Sequence, residues 1–139
     1  MNTILIDSDV LLDFFFDRKP YSENASRILN LCKEKVIQGF VTPVIIANTY
    51  YILNKTAKHE YVIDKLNQLL NSIDIIEMNR TVVINALNSN FKDFEDALQN
   101  FSAIEKEDIE VIVTRNIKDF KKSKLAVLTP ETYIKGIIE

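Results

Sequence analysis

The sequence predicts an α/β fold, with a central and mainly parallel sheet of about four or five strands flanked by helices on both faces. Short β-branched or aliphatic runs alternate along the chain with segments of helical periodicity. The connections between those runs are too long for two-residue hairpins, so successive strands are joined by crossovers and run parallel. With 139 residues, 47% hydrophobic and 27% charged, the chain has globular composition and about one domain's length at roughly 150 residues per domain. Residues 1–139 are therefore read as a single domain, able to bury a core without a metal or a disulfide.

Residues 3–6 fit a short buried strand, and the polar Asp7, Ser8 and Asp9 mark the turn into a helix that Asp9 can cap. Ser22 reads as the N-cap of an amphipathic helix in which Ala25, Ile28, Leu29, Cys32 and Val36 recur at helical spacing up to Gly39. Phe40 and Val41 form a brief strand. Thr42 and Pro43 supply an N-cap and a first-turn proline for an apolar helix through Leu53, expected to be buried on most sides. Val62, Ile63, Leu66, Leu69 and Leu70 make the stripe of a helix over 60–70; residues 73–78 read as a strand and 81–87 as a helix. Asp93 caps a helix over 94–104 whose buried stripe is Phe94, Ala97, Leu98 and Phe101. Asp93, Asp96 and Asn100 lie along one border of that stripe, while Glu95 and Gln99 point elsewhere. Residues 110–114 and 125–128 are strands, and Pro130 opens a closing helix.

Rare residue types exclude whole classes of chemistry. One histidine (His59), one cysteine (Cys32) and two glycines (Gly39 and Gly136) leave no ordinary structural zinc site, no intrachain disulfide and no glycine-rich nucleotide loop. His59 sits between Lys58 and Glu60 at a polar helix start, where a surface role fits better than catalysis. No segment approaches about eighteen apolar residues, and the N-terminal stretch lacks a basic flank, so the expectation is a soluble cytoplasmic protein with no membrane partner. The net charge of −3 does not advertise nucleic-acid binding in bulk. Arg115, Lys118, Lys121, Lys122 and Lys124 nevertheless form a dense basic run around Asp119.

In parallel α/β sheets ligands bind beyond the carboxyl ends of strands, which here carry Asp7 and Asp9 after the first strand and Thr114, Asn116 and Asp119 after a later one. Asp93 and Asp96 add two carboxylates on the helix that follows residue 93. Grouped hard oxygens suit Mg²⁺ or Mn²⁺. Taken singly, Asp9 and Asp93 are better explained as helix caps, and Asp96 as a first-turn residue favoured by the helix dipole, without any metal. Asp7, joined directly to an apolar strand, needs a partner or a ligand more strongly.

The stretches ILIDSDVLLDFFFDRKPYS, VTPVIIANTYYIL, DFEDALQ, VIVTRNIKDF and VLTPE, in this order and spacing, resemble a PIN domain, most closely the small bacterial PIN proteins that include the VapC-type toxins. The resemblance implies a Mg²⁺- or Mn²⁺-dependent ribonuclease in which Asp7, Asp96 and Asp119 are catalytic and hold the metal. Asp9, Asp93, Asn48 and Asn116 are possible further ligands. Asp9 stands where the family usually has asparagine, Thr114 matches its usual threonine, and the fourth acid corresponds either to Asp119 or to Asn116. Asn48 stands where many PIN domains carry a glutamate, which implies weaker metal affinity or a charge carried by Asp9 and Asp93. A buried amide bonded to the backbone accounts for Asn48 equally well.

The functional expectation is phosphodiester hydrolysis by metal-activated water. The basic run Arg115, Lys118, Lys121, Lys122 and Lys124 then holds the RNA backbone, its bland alternative being a solvated loop. The resemblance adds an antitoxin protein as partner and a homodimer; Phe14, Phe15 and Phe16 offer one part of such an interface, and buried packing on two sides explains them equally well. Two other readings stand beside it: a PIN-like binding module with weakened or lost activity, and a haloacid-dehalogenase-like phosphatase using Asp7 as nucleophile, against which Leu11 counts.

Overall fold

A computed structural model describes residues 2–138. Five strands, β1 (Asn2–Ile6), β2 (Ile37–Val41), β3 (Asp74–Ile75), β4 (Val111–Val113) and β5 (Ala126–Leu128), form one sheet in the order β3-β2-β1-β4-β5. Every neighbouring pair is parallel. The described elements also include seven α-helices: α1 (Ser8–Phe15), α2 (Ser22–Lys33), α3 (Pro43–Leu53), α4 (His59–Leu69), α5 (Arg80–Leu87), α6 (Phe94–Lys106) and α7 (Pro130–Ile138). A 3₁₀ turn, Ile117–Phe120, lies between β4 and β5. The predicted α/β class with a parallel sheet is thus the observed one.

The central strand explains itself. Ile4, Leu5 and Ile6 are wholly buried, as a parallel strand covered on both faces requires. The chain leaves β1 toward β2 on one side, and β4 returns to its other side, pairing Ile6 with Val113. The space between the carboxyl ends of β1 and β4 is therefore the topological switch point, where open α/β sheets bind ligands.

Several boundaries differ from expectation for physical reasons. Asp7, not Asp9, caps α1, accepting the Ser8 backbone N–H at 2.8 Å. Helix α2 is preceded by Tyr21, and Ser22 lies inside it with its side chain buried. That helix stops at Lys33 rather than running to Gly39. Lys35 takes a left-handed φ of 62°, and Val36 N–H donates to the Leu31 carbonyl, a reversal that commonly uses glycine but here uses lysine. Gly39 lies within β2 instead. A Cβ there would stand 2.6 Å from Cys32 Sγ and 3.0 Å from Ile6 Cδ1, so close approach of α2 to the sheet requires the missing side chain.

Strand β3 has only two residues, both exposed, not the six expected over 73–78. Helix α3 buries Ile45, Thr49 and Leu53, yet leaves Tyr51 68% exposed, so it is not covered on most sides. In α4, Val62, Leu66 and Leu69 face the core while Ile63 and Leu70 are exposed. In α6, Asp93 caps as predicted, but Phe94 is exposed and Gln99 is buried. Thr42 explains the inversion: its hydroxyl donates to Gln99 Oε1 at 2.5 Å while its oxygen caps α3, giving a polar side chain a reason to face inward.

Candidate functional site

The site begins with two residues that each directly follow a strand. Asp7 leaves β1 and Thr114 leaves β4, and the Thr114 hydroxyl donates to Asp7 Oδ2 at 2.8 Å. Ser8 N–H satisfies Asp7 Oδ1, so both oxygens of a buried carboxylate have partners. The Thr114 oxygen also accepts the Asn116 N–H at 3.0 Å, which folds the chain into the 3₁₀ turn that carries Asp119. Asp9, on the first turn of α1, accepts the Arg115 N–H at 3.0 Å through Oδ2. Its Oδ1 is buried and has no partner.

Helix α6 brings in two more acids. Asp93 accepts the Asp96 N–H at 3.0 Å, and Asp93, Asp96 and Asp119 line one cleft of about 230 Å³ together with Lys92, Lys118, Lys121 and Lys122. The carboxylates act on one another. Burial raises the Asp7 carboxyl above its ordinary value against the hydrogen bonds from Thr114 and Ser8, and the charges of Asp119 and Asp93 add to the rise. Burial and then Asp93, Asp7, Asp119 and Glu95 push Asp96 up to about 7. Burial, with the neighbouring Asp7 charge, takes Asp9 up to about 6.

These residues fit a hydrated divalent cation. Among the described residues no three Asp, Glu, His or Cys side chains already enclose a common point. Mg²⁺ does not need such a cage, because it keeps several waters and binds through one or two carboxylates plus substrate phosphate. The donor set is all hard oxygen, one buried carboxylate oxygen of Asp9 lacks a partner, and the charges of Asp93 and Asp119 contribute to the rise at Asp96.

A sequence model of the PIN domain matches residues 3–118. The chain belongs to the PIN domain family. Solved structures of similar fold include VapBC2 from Rickettsia felis bound to a promoter DNA fragment, 18% identical over 91% of this chain and 96% of that one, with a TM-score of 0.66. A toxin–antitoxin complex from Klebsiella pneumoniae is 21% identical over 91% of this chain and 97% of that one, with a TM-score of 0.68. VapC20 from Mycobacterium tuberculosis, a sarcin–ricin loop cleaving toxin, is 16% identical over 78% and 86%, with a TM-score of 0.60. At these identities the likeness is one of fold. No curated protein matches the chain by sequence.

In this PIN domain Asp119 lines the acidic cleft, whereas Asn116 is exposed outside its lining and precedes the 3₁₀ turn. Lys118, Lys121 and Lys122 line the same cleft; Lys124 is exposed beyond it. Arg115 is engaged elsewhere. Its guanidinium donates to both oxygens of Asp13 at 2.6 and 3.0 Å and stacks 3.9 Å over the Tyr21 ring. Asn48 is half-buried and donates to Glu95 Oε2 at 2.9 Å, not to backbone. The sequence reading missed four participants: Asp13, Lys92, Glu95 and Gln99. Asp13 had a signal, a carboxylate one turn after Asp9 among apolar neighbours. Glu95 and Gln99 had none, because their partners lie on a distant helix.

Proposed function

We propose that this PIN domain is a Mg²⁺- or Mn²⁺-dependent ribonuclease and the toxin of a toxin–antitoxin pair. The observation that carries the proposal is that Asp93, Asp96 and Asp119 line one cleft, near enough to Asp7 at the end of β1 that the charges of Asp93 and Asp119 add to the rise of its carboxyl. Asp7, Asp96 and Asp119 would hold the ion, with Asp9, Asp93 and Asn48 nearby. When bound, the ion makes a coordinated water nucleophilic near neutral pH and offsets charge developing on the phosphate. Thr114 orients Asp7 through its hydroxyl and keeps the turn bearing Asp119 in place. Lys118, Lys121 and Lys122 contact substrate phosphates beside the acids, with Lys124 farther out; such contacts fix position more than sequence. No protein nucleophile is required.

The antitoxin partner is supported by the fold neighbours from Rickettsia and Klebsiella, which are toxin–antitoxin assemblies, and the cleavage by the fold neighbour that cuts the sarcin–ricin loop. A homodimer in the cytoplasm belongs to the same proposal. Asn48 favours a second reading, a PIN-like binding module with weakened activity. Family membership removes the reason for the phosphatase reading. The test is calorimetric titration of Mn²⁺ into wild type and Asp96→Asn, followed by cleavage of mixed RNA with and without EDTA. Binding that needs Asp96, with EDTA-sensitive cleavage, is expected. Binding without cleavage would favour the binding module, and absence of binding at millimolar Mn²⁺ would refute the metal-dependent mechanism.

A further inference from the structure

We propose that a second cleft, between the starts of α2 and α7, receives one unpaired nucleobase of the RNA, stacked on Tyr21 and read at its edge by Asn24 and Glu131. The inference rests on the ribonuclease reading above and gives it a base-binding subsite. The cleft has a volume of about 360 Å³ and is lined by Tyr21 and Asn24 at the start of α2, Arg115 after β4, and Thr129 and Glu131 after β5. Small-molecule sites span about 300–1,000 Å³. Thr129 directly follows β5 and Arg115 lies two residues beyond β4, so this cleft, like the acids, stands past the carboxyl ends of the strands. Its wall is bonded to the acid rim: the Arg115 N–H donates to Asp9 at 3.0 Å, and the adjoining Thr114 hydroxyl donates to Asp7 at 2.8 Å.

Proteins that read single-stranded RNA stack a splayed base on an aromatic ring and hydrogen-bond its edge. The cleft offers both. Tyr21 remains 44% exposed although the Arg115 guanidinium lies 3.9 Å from its ring centroid and covers one side of it. That guanidinium is locked by its fork to buried Asp13, so the ring is braced before any ligand arrives, which lowers the ordering cost of binding. Arg115 is accordingly a positioning residue here. The Asn24 amide both donates and accepts, whereas the Glu131 carboxylate only accepts. Glu131 Oε1 meets Lys135 at 3.2 Å on the exposed surface, a contact it can keep while accepting a further donor. An acceptor here suits a base that carries an exocyclic amino group, such as cytosine, and suits uracil poorly because a carbonyl replaces the amine. A tyrosine that merely covers Arg115 predicts the same stacking and no response to the base.

Fluorescence anisotropy separates the two, using labelled hexamers of abasic ribose phosphate that carry one central cytosine, one central uracil or no base. Binding is measured in EDTA so that nothing is cleaved, cleavage of mixed RNA in Mn²⁺ is assayed alongside, and urea midpoints report folding. Wild type is expected to bind the cytosine hexamer about tenfold more tightly than the baseless one, as stacking of one base allows, and more tightly than the uracil hexamer. Tyr21→Leu should reduce the cytosine hexamer to the baseless level, while Tyr21→Phe restores it. Asn24→Ala and Glu131→Gln should each narrow the preference for cytosine over uracil. Equal affinity of wild type for all three hexamers, with RNA still cleaved in Mn²⁺, would overturn this inference and leave the ribonuclease reading intact. A folded Tyr21→Leu protein with wild-type affinities would overturn the stacking, and a cytosine preference that survives both Asn24→Ala and Glu131→Gln would overturn the edge reading. A wild type that neither binds the hexamers nor cleaves RNA would defeat this inference and the proposed function together.

Discussion

Replacing Arg115 with alanine should unfold the domain more readily rather than release nucleic acid. The Asp13 side chain is only 1% exposed, and Arg115 meets it with a two-point fork at 2.6 and 3.0 Å, the Arg115 side chain being 27% exposed. Removing one partner of a buried pair costs about 3–5 kcal/mol, chiefly because a charge is left stranded. Arg18 remains 3.6 Å from Asp13 and is well solvated, which lowers the expected loss to about 2–3 kcal/mol. For a chain of this length that is a fall of about 6–12 °C in Tm. Urea unfolding followed by circular dichroism measures it directly. Arg115→Lys keeps the charge without the fork and should fall between alanine and wild type, while Arg18→Ala should lose less than about 1 kcal/mol. An Arg115→Ala protein within about 0.5 kcal/mol of wild type, yet with weakened RNA binding, would refute the clamp and return Arg115 to the substrate.

Three other perturbations probe different parts of the molecule. Gly39→Ala forces a methyl against Cys32 Sγ and Ile6, and should lower stability by about 1–3 kcal/mol in urea titration. Asp96 at about 7 and Asp9 at about 6 both lie above the ordinary 3.8. Their contribution to stability is complete below the unfolded value and is lost as pH rises through the folded values. Metal-free protein should therefore show a higher urea midpoint near pH 5 than near pH 8, with Asp96→Asn flattening the difference. Lys118→Ala and Lys121→Ala should each reduce the salt slope of RNA binding by about one, measured by fluorescence anisotropy; an unchanged slope would make these lysines a solvated loop.

The sheet was legible because its central strands are buried on both faces and their β-branched runs needed no context. The place of Asp7 was legible too, since a carboxylate set directly after an apolar strand announces itself locally. What escaped was non-local. Gln99 faces inward only because Thr42 offers it a hydroxyl from another helix. Lys35 ends α2 in a conformation usually left to glycine, so the search for a glycine carried that helix too far. The basic run looked uniform in sequence, but Asp13 withdraws Arg115 from it.

Asp93 caps the start of α6 by accepting the Asp96 N–H, and Asp96 lies in the same first turn. The positive end of a helix dipole tempers the repulsion among acids gathered there. The main core is apolar and excludes these acids, so folding should not need an ion to complete it. Unlike small zinc modules, which come apart when their metal leaves, this domain should survive chelation with its architecture whole. Under the metal-dependent function proposed above, EDTA should act on it as a reversible brake, lifted whenever divalent metal returns, and not as a denaturant.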